Sequence, residues 1–227
     1  MICEYLGDLR SLISFLKLIS LNSISDGLIN NSYYLNDPIL FRLVFWALMR
    51  LFFYLITPLI LIKILFKDSI FDYGLKFKFD KVEIKIFVCF FAFMTPLLFL
   101  VSNLNSFQLQ YPFYKPVDDS LFPKFFIWEL SYFLQFFALE FFFRGFMIHG
   151  TKKKLGYFSI ALMIFPYVMI HFGKPFLENV GAIFAGVILG VLSLRQNSIW
   201  LGVFLHCSVA LSMDIFVLYR LDFFVEN

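Results

Sequence analysis

Glu140, His171 and His206 are three titratable side chains inside stretches otherwise apolar enough to lie in a membrane: FFALEFFFRGF, FPYVMIHFG and WLGVFLHCSVALSMD. A charge at the centre of a bilayer costs roughly 2.5 to 3.5 kcal/mol even on lenient insertion scales, so such a group is paired, hydrated or functional. A carboxylate and two imidazoles are also the groups that take protons from water and pass them on. Arg144 follows Glu140 by four residues, on the same helical face and in the better order for an ion pair. The competing reading of this pair is that it only lets both charges exist in lipid, with Arg144 snorkelling towards the interface. Tyr167 stands one turn before His171, and Glu178 follows it after a turn, with Lys174 as a competing partner for that carboxylate. His206, Ala210 and Asp214 recur every fourth residue, so one stripe of the last apolar segment carries an imidazole, a gap and a carboxylate. Glu129 and His149 read as boundary residues near opposite faces of the membrane.

The elements that must hold these groups follow from composition. Of 227 residues, 61% are hydrophobic, 35 are Phe and only 15% are charged, more apolar surface than a water-soluble domain can hide. A scattered net charge of +3 offers no nucleic-acid footprint. Cys3, Cys89 and Cys207 have no paired spacing and read as buried reduced thiols. About 20 helical residues cross a bilayer core, and six segments qualify, near 43–62, 85–102, 125–148, 156–171, 179–194 and 198–219. The expected fold is therefore all-α, a polytopic membrane helix bundle, because lipid-exposed backbone must satisfy its own hydrogen bonds. Residues 1–36 place Leu9, Leu12, Ile13, Leu16 and Ile19 at helical spacing among charges, which predicts an interfacial amphipathic helix and a polar linker ahead of a membrane domain over 37–227. Acids at its start argue against a cleaved signal peptide.

Lysines cluster after the first span (Lys67, Lys76, Lys78, Lys81, Lys85) and the third (Lys152, Lys153, Lys154), which predicts cytoplasmic first, third and fifth loops and both termini outside. At about 1.5 Å per residue, Glu140, His171 and His206 lie roughly 15, 22 and 12 Å from the cytoplasmic ends of their spans. Ala182, Gly186 and Gly190 form a small-residue seam on the fifth span, suited to close helix packing.

In order and spacing, Glu140-x-x-x-Arg144-Gly145, the Tyr167/His171 pair, and His206 preceded by Ser198–Trp200 resemble the motifs of the CPBP family of intramembrane proteases, which includes CAAX prenyl endopeptidases and bacterial Abi proteins; the resemblance covers about 120–215. It implies peptide hydrolysis in the membrane. Glu140 and His171 would activate water and His206 would stabilise the oxyanion, with Arg144, Tyr167, Glu178 and Asp214 in support. Two mechanisms are associated with such motifs, one glutamate-dependent and one metal-dependent; for the latter, Glu140, His171 and His206 are the ligands a Zn²⁺ ion would find. The chain departs from the family pattern twice, with Leu139 where the first of two adjacent glutamates stands and Ala210 where a polar residue follows the last His.

These departures keep open a non-catalytic membrane protein of the same fold, an immunity or scaffold factor that holds a peptide or protein partner. Buried Glu, Asp and His also suit a proton-coupled transporter, although no inverted repeat or broken helix pair accompanies them. In each reading the partners are the lipid bilayer and a membrane-associated peptide, protein or proton, with no nucleic acid.

Overall fold

The computed structural model of the chain describes residues 7–34, 37–115, 121–221 and 223, with backbone alone for 31–34. Two helices open it, α1 (Leu9–Leu18) and α2 (Asn22–Tyr34). Asp8 caps α1 by accepting from the Ser11 N–H at 3.1 Å. The expected polar linker is helical instead over Asn22–Tyr34, in spite of weak helix formers such as Asn, Ser and Gly.

The first span, α3, runs Pro38–Phe66, and the second, α4, Lys81–Val101. Asp37 caps α3, with Pro38 at the first helical position where its missing N–H costs nothing. Asp80 and Glu83 form a reciprocal capping box at the start of α4. Between these helices the 75–80 segment is neither strand nor helix. It is stapled to the last span instead: Ile199 N–H donates to the Gly74 carbonyl at 3.0 Å, and the Trp200 indole to that of Leu75 at 3.3 Å. A short helix, α5 (Asn105–Gln110), precedes the long α6 (Lys124–Leu155), followed by α7 (Phe158–Met169), α8 (Phe176–Gln196) and α9 (Trp200–Arg220). No strand occurs among the described residues.

Among the described residues five helices, not six, are long and apolar enough to cross a membrane. The exception is α7, whose 12 residues rise only about 18 Å. Gly156, at φ +53°, ends the preceding helix, and the turn after Met169 ends α7, so His171 comes at the close of a half-length helix. α6 is the centre of the bundle and packs against α3, α7, α8 and α9, while α4 lies outside, against α9. Of the most apolar stretch of α6, 56% is buried within the protein; for α4 the figure is 6%. Cys89, on α4, is accordingly exposed rather than buried; Cys207 is half-buried, and Cys3 lies outside the described residues. The small-residue seam of α8 meets α7: a side chain on Gly186 would run into Ile164 and Tyr167, and one on Gly190 into Ile160 and Ile148.

Candidate active site

Glu140 closes the regular part of α6, and the helix widens to a π-helical coil over Phe141–His149 immediately after it. Such widened turns often mark functional positions in helices. Arg144 Nη1 lies 3.1 Å from Glu140 Oε1, with both side chains 0% exposed. Arg144 therefore does not snorkel. Its guanidinium sits over the Tyr167 ring, 4.1 Å from the centroid, a cation–π contact in the protein interior. Gly145 is required beside it, because a Cβ there would stand 2.7 Å from the Tyr73 carbonyl oxygen.

From α9, His206 Nδ1 reaches the same Glu140 oxygen at 2.7 Å. A carboxylate only accepts, so Nδ1 carries the proton and donates. Phe136, one turn before Glu140, stacks on the imidazole at 4.9 Å between centroids and 12° between planes, fixing the ring. Gly202, one turn before His206, faces the carboxylate so closely that any Cβ would overlap Glu140 Oε2. That second oxygen has no hydrogen-bond partner among the described residues.

The Tyr167 hydroxyl lies 3.4 Å from His206 Nε2, and the Tyr167 carbonyl is 2.9 Å from His171 Nδ1. A carbonyl accepts, so His171 is protonated at Nδ1 and presents Nε2 as an acceptor. Glu140, Arg144, Tyr167, His171 and His206 thus come together from α6, the end of α7 and α9 by a chain of contacts in which Tyr167 is the link between the two histidines.

Glu178 and Asp214 do not join this chain directly. Glu178 accepts from Lys174 at 2.6 Å and from the Tyr111 hydroxyl at 2.7 Å. Burial first, then Tyr132 and Glu178, push Tyr111 above its ordinary pKa of 10.0, which keeps it a donor. Asp214 is paired with Glu129, which is 5% exposed rather than boundary-exposed: it shares the buried face of α6 with Phe125, Trp128 and Tyr132, while Phe126, Ile127 and Leu130 are exposed on the other faces. His149, also read as a boundary residue, is buried, accepting from Lys152 Nζ at 2.8 Å and facing Ser193 Oγ at 3.0 Å. Sequence reasoning missed the stacking of Phe136 on His206 and the proximity of Gly202 to Glu140; only the glycine left a trace, at the start of the last span.

The zinc set does not fit this geometry. Among the described residues no three His, Cys, Asp or Glu side chains are grouped so as to hold a metal ion. Glu140 and His206 are bonded to each other, and among the described residues His171 is tied to them through Tyr167.

Residues 121–212 match the family model of the type II CAAX prenyl endopeptidase Rce1-like proteins. Over that stretch the chain is similar to the CAAX protease family. The matched stretch, about two fifths of the chain, contains all five residues of the contact chain. No curated protein and no solved structure matches the chain.

Proposed function

We propose that this protein is an intramembrane endopeptidase that hydrolyses membrane-associated peptides without a resident metal. The observation that carries the reading is the 2.7 Å bond from His206 to Glu140, which joins two of the resembling motifs across the bundle inside the family-matched stretch. In this reading the partnerless Oε2 of Glu140 takes the proton of the attacking water, and His171 Nε2 accepts the water's second hydrogen. Arg144 holds Glu140 in place. His206, with Nδ1–H committed to Glu140, donates from Nε2 to the oxyanion when that nitrogen is protonated, with Tyr167 lining the same position. The membrane domain is 37–227, the segment 1–36 lies at the interface, and the lysine-rich loops face the cytoplasm, where the substrate arrives. The test is cleavage of quenched-fluorescent membrane-anchored peptides by the purified protein in liposomes. Parental cleavage that persists in Glu140→Gln, His171→Ala and His206→Ala would remove these residues from the reaction.

The complete burial of Glu140, together with Leu139 and Ala210 at the two motif positions, favours a second reading, a non-catalytic member that holds a peptide or protein partner. It expects Glu140→Gln to leave the cellular phenotype intact, and a bulky side chain at Gly186 or Gly190 to abolish it by separating α7 from α8.

A further inference from the structure

Two buried carboxyl groups that hydrolysis leaves unused lie on the side of Glu140 away from the lysine-rich loops. Glu129 on α6 and Asp214 on α9, 5% and 0% exposed, bring their carboxyl groups within hydrogen-bonding reach of each other. Apart from that mutual contact, none of their four oxygens has a hydrogen-bond partner among the described residues. Two carboxylates facing one another are both acceptors, so a bond between them exists only when one oxygen carries a proton. The cation that acts on Asp214, Lys174, is itself bonded to Glu178 at 2.6 Å.

The surroundings are polar in one direction only. Tyr132, two turns before Glu140 on α6, and Tyr111, ahead of α6, both feel the charge of Asp214 and Glu178, and Arg50 of α3 acts on Tyr132. α4, packed on the far side of α9, carries no charged side chain between Ile86 and Val101. The file from the acid pair through Tyr132 and Tyr111 ends at Glu178 and Lys174, whose side chains are 21% and 23% exposed. Towards Glu140, Gln135 is 1% exposed, and neither amide atom is bonded among the described residues. Buried polar groups of this kind are satisfied by internal water.

We propose that Glu129 and Asp214 form a proton-binding site, a carboxyl pair that shares one proton and exchanges it with water arriving from the Lys174–Glu178 end of the bundle. The pair stands roughly 12 Å along α9 from His206. That it serves the Glu140–His206 centre rests on the hydrolase reading; the proton site itself does not.

The experiment is infrared difference spectroscopy of the whole protein in lipid, parent against Asp214→Asn and Glu129→Gln, in light and heavy water. The expected result is a protonated-carboxyl carbonyl band in the parent, lost in both variants and shifted down in heavy water. Absence of the band, or its survival in either variant, overturns the site. A band that heavy water leaves unmoved overturns the exchange, since the pair is then a dry tie between helices. Peptide cleavage is read separately: if the parent fails to cleave while the band behaves as expected, the hydrolase reading falls and the proton site stands.

Discussion

Two glutamates on one helix face the same partner helix and are both buried, yet their charges are handled in opposite ways. Glu140 has a fully buried arginine and a histidine on one oxygen; Glu129 has only another acid. A carboxylate cannot leave water uncompensated, and these are two of the solutions available: an opposite charge, or a proton. The first creates mutual dependence, because Arg144 is as badly off without Glu140 as the reverse. The second creates a neutral group whose partner can be exchanged for an amide at little cost.

The sharpest break of that comparison is Arg144→Ala. Leaving one member of a buried ion pair alone costs about 3–5 kcal/mol, whereas Asp214→Asn, whose amide still donates to Glu129, costs about 0.5–1.5 kcal/mol. Reversible unfolding in mixed micelles with increasing dodecyl sulfate measures both. Equal losses would mean that Glu129 and Asp214 depend on each other as an ion pair does.

Catalysis separates the two acids next. Glu140→Gln is expected to lower peptide cleavage by about 10²–10⁴, the usual worth of a general base. Asp214→Asn leaves the Glu140–Arg144–His206 contacts in place, so its effect is a changed pH profile with turnover at the optimum retained. A comparable loss at the optimum in Asp214→Asn would place the second acid in the reacting centre.

A smaller and more local test is Gly202→Ala. The added methyl meets the Glu140 carboxylate, whose movement is restrained by Arg144 and His206, and overpacking of this kind costs about 1–3 kcal/mol. Cleavage is expected to fall with stability. A fully active Gly202→Ala would show that the carboxylate has room to move and that its bond to His206 is not what positions it.

What the sequence revealed of these features depends on the range of the signal. The apolar runs and the four-residue step from Glu140 to Arg144 are local, and the all-helical membrane bundle was legible from them. Depth along a span is an expectation that needs only the helical rise, and depth does not give rotation. The meeting of Glu140 with His206, 66 residues apart, was therefore expected from the family resemblance and not from the helical pattern, and the pairing of Asp214 with Glu129 could not be read at all. Glu129 was misread because its depth suggests a boundary, while the central position of α6 buries it. Cys89 was misread for the converse reason: an apolar neighbourhood says that a thiol is out of water, and on α4 that means lipid, not protein. The fourth segment, though short, was counted as a span because the apolar run continues past Met169 to Ile170 after the helix has ended.

The smallest expected effect lies outside the membrane, at a third acid that again differs in its means of compensation. Burial pushes Asp37 up, but the Leu40 N–H, the Tyr114 hydroxyl at 2.6 Å and the charge of Lys124 outweigh it, so its pKa falls below the ordinary 3.8. A carboxyl depressed by folding contributes stability that is complete above its unfolded pKa and is lost as pH falls through the folded one. Asp37→Ala should therefore cost about 1 kcal/mol at neutral pH, the worth of a helix cap, and less in acid. Asp80, lowered by its bonds with Glu83 and the Val82 N–H, has the same sign, so the variant flattens the acid limb without abolishing it. Unfolding midpoints of parent and variant that stay equally far apart from neutral pH down to about pH 3 would show that the Asp37 side chain acts through packing rather than charge.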